Sequence, residues 1–301
     1  MKELVILSGK GGTGKTSITA GFAFLAEGMV MCDADVDAAD LHLVLNPEVK
    51  STEDFLGGYE AIIDPEKCVQ CGKCIEVCRF DAVSSDFTID PIDCEGCGVC
   101  VDLCPEQAID FPRCTSGQWY VSDTRFGPMV HAKLGIAEEN SGKLVALVRS
   151  EARNLAEKSG RDFLLTDGPP GVGCPVIASV GQASLILIVS EPTVSGRHDM
   201  KRVVDLANHF KIPVMVCVNK YDLNETEADN IEAFARENNV QVAGRIPFDE
   251  DFVRAMIQRQ TIFEYDPESK AASCIRQIWK RVEDFAAKCQ PGLISGIKQH
   301  I

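Results

Sequence analysis

The octapeptide Gly9-Lys10-Gly11-Gly12-Thr13-Gly14-Lys15-Thr16 restricts the fold more than any other part of this 301-residue chain. It satisfies G-x-x-x-x-G-K-[ST] at every fixed position, and its flanks agree with that reading. Residues 4–8 are an apolar run that reads as a buried strand, and residues 16–27 carry apolar side chains at helical spacing. Between strand and helix, Gly9, Gly11, Gly12, Thr13 and Gly14 form a cradle. The glycines let successive backbone N–H groups turn toward a phosphate, with the partial positive charge of the helix N-terminus behind them. Lys15 is expected to reach the β- and γ-phosphates of ATP, and the Thr16 hydroxyl to hold Mg²⁺.

The rest of the chain repeats this alternation. Strands are predicted near 4–8, 29–33, 162–167, 184–190, 212–218 and 240–246, and helices near 16–27, 142–159, 198–210, 225–237, 249–259 and 268–287. This order predicts an α/β fold, a mainly parallel sheet covered by helices on both faces. Acids follow the second strand at Asp33, Asp35, Asp37 and Asp40, where an open α/β sheet places its ligand chemistry. Asp33, Asp35 and Asp37 repel one another unless a cation or hydrogen bonds offset their charge; Asp40 fits a capping acid best. Asp167 ends a strand over 163–166 and leads into a Gly/Pro turn.

The segment KGGTGKT resembles the deviant phosphate loop of the MinD/Mrp/ParA superfamily, which includes the nitrogenase iron protein. The resemblance covers roughly 1–50 and 115–290. It implies an ATP-dependent homodimer in which Lys10 crosses the interface to touch the partner's nucleotide. It also implies that Asp33 sits near Mg²⁺, that Asp35 orients the attacking water, with Asp37 a weaker candidate, and that Asp167 holds a magnesium-bound water from the DGPPG switch loop. Asn219 of VNKYD would read adenine, with Ile246, Pro247 and Phe248 lining the base.

Eight of the fourteen cysteines fall between residues 68 and 104, as Cys68-x2-Cys71-x2-Cys74-x3-Cys78 and Cys94-x2-Cys97-x2-Cys100-x3-Cys104-Pro105. Each cysteine of the first run has a counterpart 26 residues later, and IIDPEKC is echoed by TIDPIDC, so the segment is an internal duplication. This spacing suits iron–sulfur clusters better than disulfides or zinc. In two-cluster ferredoxins the fourth ligand of each cluster comes from the other run. That resemblance assigns one [4Fe–4S] cluster to Cys68, Cys71, Cys74 and Cys104, and a second to Cys94, Cys97, Cys100 and Cys78. Arg79 stands where the pattern has proline after Cys78. The insert, residues 59–111, is thus expected to be an α+β ferredoxin-like domain, with the ATPase domain in two pieces, 1–58 and 112–290, and a tail over 291–301.

Residues 60–110 hold twelve acids against three bases, and the whole chain has a formal charge of −15. An acidic insert steers basic redox or iron–sulfur protein partners and offers no stripe for nucleic acid. Apolar runs such as 185–189 and 214–218 are too short to span a bilayer, so no stable membrane insertion and a cytoplasmic protein are expected. Cys174 lies seven residues after Asp167, an offset at which the nitrogenase iron protein carries a bridging cluster ligand, with Cys114 as a possible second; a buried structural cysteine is the other reading. Cys32 and Cys217 are expected in the core, and His42 in packing or at the surface.

Together these features predict an ATP-binding and hydrolysing iron–sulfur protein. Its nucleotide-driven dimer cycle would gate electron transfer through both clusters to a protein partner. Two alternatives stay open: an iron–sulfur assembly carrier ATPase, although the C-terminal CxxC of such carriers is missing, and a ParA/MinD-like positioning ATPase.

Overall fold

Successive residues of a strand face opposite sides of its sheet, and here both sides are apolar. Leu4, Ile6, Leu187 and Met215 join Phe22, Ile18, Ile275 and Trp279 in one core. Their neighbours Val5, Leu7, Ile186, Ile188 and Val216 join Val176, Met200, Val203 and Ile231 in the other. Two buried faces explain why these strands read as unbroken apolar runs.

The computed structural model describes residues 1–135 and 141–288. Its largest sheet orders the strands Gln241–Ile246, Val214–Asn219, Leu185–Ser190, Lys2–Ser8, Phe163–Pro170, Met29–Asp33, Gly127–Leu134, Gly117–Thr124 and Glu48–Phe55. Every neighbouring pair from Gln241–Ile246 across to Gly127–Leu134 is parallel. All six predicted strands are present, and the helices Lys15–Leu25, Ser141–Lys158, Val194–His209, Glu225–Glu237, Asp251–Ile257 and Lys270–Lys288 stand where the apolar spacing put them. Three strands at one side of the sheet, Glu48–Phe55, Gly117–Thr124 and Gly127–Leu134, were not predicted. The first is polar and exposed almost throughout, so it lacks the alternation that marks a strand.

The strand ending in Asp167 runs farther than expected. It continues through Pro170, because Ser8 pairs with Pro170 after a register shift beyond Ile6 and Asp167. The Gly-Pro-Pro sequence reads as a turn, yet it is extended. Helix Cys174–Val180 follows at once.

The described residues divide into two compact units: residues 1–52 with 119–133 and 141–288, and residues 53–118 with 134–135. The second extends beyond 59–111 because Gly58–Tyr59 pairs with Arg113–Cys114, and Ser116 N–H donates to the Phe55 carbonyl at 2.8 Å. The tail over 291–301 lies outside the described residues. Among those residues, no helix is long and apolar enough to cross a membrane.

Within the second unit the sequence duplication becomes a geometric one. Asp64 N–H donates to the Ala108 carbonyl at 2.8 Å, and 26 residues on, Asp90 N–H donates to the Ala82 carbonyl at 2.8 Å. Ile63 pairs with Ile109, and the equivalent bridge joins Val83 to Ile89. Each half therefore lends its closing strand to the other. That exchange carries Cys104 back toward the first run, and Ala108 N–H donates to Cys104 Sγ at 3.3 Å.

Candidate functional site: a phosphate-loop cleft and a cysteine-lined cavity

The phosphate loop leaves strand Lys2–Ser8 and enters helix Lys15–Leu25 through Gly14, whose φ of 90° belongs to the left-handed region. A side chain there would also collide with Asn219, since a Cβ would lie 2.4 Å from Asn219 Nδ2. Asn219 Nδ2 donates to the Thr13 carbonyl at 2.8 Å, and its Oδ1 accepts from Lys220 N–H at 3.0 Å. Both ends of this amide are thus engaged, and the residue braces the loop from the end of strand Val214–Asn219.

The loop opens on a cleft of about 350 Å³ lined by Gly11, Gly12, Gly14, Lys15, Thr16, Asp35 and Asn219 on its polar side. Pro247, Phe248, Phe252, Val253 and Met256 form an apolar wall. Of the three residues expected at the base, Pro247 and Phe248 line the cleft, whereas Ile246 is buried in the core. Phe252, Val253 and Met256 escaped the sequence reading because their helical spacing looked like ordinary core packing.

Three carboxylates converge below the loop. Lys15 Nζ lies 3.4 Å from Asp35 Oδ2, and both side chains are buried. Asp167 accepts from the hydroxyls of Thr16, at 2.8 Å, and Thr19, at 3.0 Å; Thr19 gave no signal in the sequence. Asp33, 0% exposed, accepts from the N–H groups of Asp35 and Leu41, each at 3.2 Å. So Asp33, not Asp40, tethers the start of helix Leu41–Leu45; Asp40 occupies the capping position without a side-chain bond. Asp37 is exposed.

Burial raises all three acids. Asp35 is pushed up to about 6 by desolvation, against the pull of Lys15. Desolvation holds Asp33 well above the ordinary carboxylate range, and Asp167 and Asp35 add to it. Asp167 is raised by desolvation, opposed by Lys15 and the Thr16 hydroxyl. Crowding and burial together keep the three carboxylates from full ionisation, and the lysine beside them suits a polyphosphate. The buried Thr13 hydroxyl has no hydrogen-bond partner, as expected of a loop shaped for a ligand. Asp33, Asp167, Gly9, Lys10 and Thr13 lie outside the cleft lining.

Lys10 Nζ is 3.0 Å from Glu191 Oε2, and Lys220 Nζ is 2.5 Å from Glu191 Oε1 and 3.0 Å from the Gly12 carbonyl. Burial works against the Glu191 charge, but Lys220 and Lys10 together hold its carboxyl below the usual range.

In the second unit, Cys68, Cys71, Cys74 and Cys104 all line one small pocket, walled by Ile63, Val69, Phe87, Pro105 and Ile109. Burial raises the Cys74 thiol, with smaller contributions from Cys68 and Cys71. Burial likewise raises Cys100, and Cys94 and Cys97 add to it. Among the described residues, no three His, Cys, Asp or Glu side chains gather closely enough to hold a single metal ion.

Cys32 and Cys217 are buried, as expected. Cys174 is not: it is exposed at the start of its helix, so the expectation of a buried cysteine fails. Cys114 is half-buried, its Sγ 3.8 Å from Ser116 Oγ. His42 is half-buried and stacks on His131 with ring centroids 6.1 Å apart.

Comparison with known proteins follows the same lines. The family model for the CobQ/CobB/MinD/ParA nucleotide binding domain matches residues 4–262. An uncharacterised protein of Methanocaldococcus jannaschii, MJ0578, is 32% identical over 287 residues, covering 94% of this chain and 97% of that protein. The septum site-determining protein MinD of Bacillus subtilis is 21% identical, covering 93% of this chain and 88% of its own. The fold matches that of MinD from Pyrococcus horikoshii, solved with Mg-ADP, at a TM-score of 0.59 and 18% identity, over 96% of this chain and 98% of that one. The chain belongs to the CobQ/CobB/MinD/ParA nucleotide-binding family.

Proposed function

We propose that the chain binds and hydrolyses MgATP in the phosphate-loop cleft, and that this cycle gates electron transfer through two [4Fe–4S] clusters held by its cysteine-rich unit. The loop amides of Gly11, Gly12, Thr13 and Gly14, with Lys15, hold the phosphates. Thr16 supplies a magnesium ligand, with Asp33 and Asp167 acting through water. Asp35, already within reach of Lys15, orients the attacking water. Asn219 and Pro247 border the base. Lys10 leaves Glu191 to meet the nucleotide of a second copy, and the homodimer separates after hydrolysis. Family membership supports nucleotide binding directly and supports hydrolysis by extension.

The observation that carries the iron–sulfur half is the cavity whose wall holds Cys68, Cys71, Cys74 and Cys104, drawn from both runs. Four cysteines are the number and kind of ligand that a [4Fe–4S] cubane takes, and this supports the reading. Cys94, Cys97, Cys100 and Cys78 repeat the arrangement by the 26-residue duplication. Bound there, the clusters supply one-electron chemistry to a redox partner. The test is iron and acid-labile sulfide analysis of anaerobically prepared protein, with EPR after reduction. Roughly eight of each per chain is expected, falling by about half in C71A. Iron at trace level, or stoichiometric zinc, contradicts the reading.

At the level of family, the MinD and ParA resemblances favour a positioning ATPase over electron transfer. ATP-dependent polymerisation or lipid binding by a protein whose cluster potentials ignore nucleotide would favour that second reading.

A further inference from the structure

Two segments that line the phosphate-loop cleft lead, through short helices, to one arginine. Asp35, Ala38 and Asp40 line the cleft ahead of helix Leu41–Leu45. Phe252, Val253 and Met256 line it from helix Asp251–Ile257. The two helices pack together, and beyond the end of each stands Arg125, in the turn between strands Gly117–Thr124 and Gly127–Leu134.

The last carbonyls of a helix have no partner within it. Here Arg125 meets them: its Nη1 lies 2.6 Å from the Leu45 carbonyl and its Nη2 3.1 Å from that of Val44. The same Nη2 is 3.0 Å from the carbonyl of Arg259, just past helix Asp251–Ile257. A second strut runs beside the first, since Arg259 Nη1 donates to Asn46 Oδ1 at 2.7 Å. Glu264 aims the guanidinium, accepting from Nε at 2.6 Å and Nη2 at 2.8 Å, and is itself fixed by Thr261 N–H at 2.8 Å. Only a planar fork of donors reaches so many acceptors at once. At the opposite end of helix Leu41–Leu45, Leu41 N–H donates to Asp33. The phosphate loop has its own brace in Asn219.

We propose that Arg125 is a positioning residue for the nucleotide base: it fixes the apolar wall of the cleft against the segment that carries Asp35. This rests on the nucleotide-binding reading above and is independent of the iron–sulfur one. Arg125 is outside the cleft lining, so its effect runs through Arg259 and the helix before it. A wall already held in place needs less ordering when a ligand arrives, and that advantage belongs to the part of the ligand that meets the wall. The phosphates, held by the separately braced loop, do not share it.

The test compares MgADP with magnesium pyrophosphate, which has two phosphates and no base, by calorimetry on the full chain. R125M keeps an unbranched stem and removes the donors; it should weaken MgADP about tenfold and leave pyrophosphate within about twofold of wild type. R259A, at an exposed residue, removes only the second strut and should weaken MgADP about threefold with the same selectivity. A purely structural role would lower the thermal midpoint without separating the two ligands. R125M that leaves both affinities unchanged, or weakens both alike, overturns the inference. If R125M does not fold, R259A decides: an unchanged MgADP affinity overturns it. Wild type that binds neither ligand overturns the nucleotide-binding reading instead.

Discussion

Lys10 is held within its own chain by Glu191, Nζ to Oε2 at 3.0 Å, and the same carboxylate takes Lys220 on its other oxygen. A lysine expected to act on a second copy is thus tied in cis while the chain stands alone. Each of these partly exposed pairs is worth about 0.5–1 kcal/mol. Removing the carboxylate charge in E191Q should therefore favour the ATP-bound dimer by about two- to fivefold. Sedimentation velocity with a non-hydrolysable analogue measures this. K10A should not dimerise with nucleotide.

Asn219 ties the phosphate loop to the end of strand Val214–Asn219 through the Thr13 carbonyl. Losing a buried hydrogen bond costs about 1–2 kcal/mol, so N219A should weaken MgADP binding by about tenfold in calorimetry. K15A removes the charge that meets the phosphates and should weaken it by about a hundredfold or more.

Glu3 is the hub of a buried network under strand Lys2–Ser8. Its Oε1 accepts from Arg149 Nε at 2.9 Å and Thr166 Oγ1 at 3.0 Å, and its Oε2 from Arg149 Nη2 at 2.8 Å and Arg153 Nη2 at 2.5 Å. R149A leaves the carboxylate short of its main partner and should cost about 3–5 kcal/mol in urea unfolding. The double variant E3Q/R149M should recover part of that loss.

Burial, helped by His42, lowers the His131 pKa from 6.5 to about 4. The folded chain therefore keeps this ring neutral where the unfolded chain takes up a proton. The unfolded state binds more protons between about pH 4 and 6.5, so stability falls as pH drops through that window. The full contribution is at most about 3 kcal/mol. H131Q, which can still meet Ser122 Oγ across a distance that is 2.9 Å in the wild type, should flatten the pH dependence of the thermal midpoint between pH 6.5 and 4.

The parallel core was legible because its strands are buried on both faces and its helices carry apolar residues at helical spacing. The phosphate loop was legible because its backbone geometry demands particular residues at fixed positions. The sheet's far strands were not: Glu48–Phe55 shows water a row of polar side chains and leaves no periodic signal. The extended Gly168-Pro169-Pro170 segment was hidden by residue types that ordinarily turn a chain, and only pairing with Ser8 straightens it. Glu191 was invisible as a partner of Lys10, 181 residues away. Nor did sequence separate Asp33 from Asp40 as the acid that meets Leu41 N–H, since both precede the helix. Cys68, Cys71, Cys74 and Cys104, from both cysteine runs, line one pocket, which the spacing of either run alone does not reveal.

Coupling requires nucleotide to favour one state of the cysteine-rich unit over another. An EPR-monitored redox titration of the iron-loaded protein, with and without a non-hydrolysable ATP analogue, reads that coupling directly. At least one cluster potential is expected to shift with the analogue, and the shift should vanish in K15A. Potentials that stay the same with and without nucleotide, in a protein shown to bind it, would contradict the account.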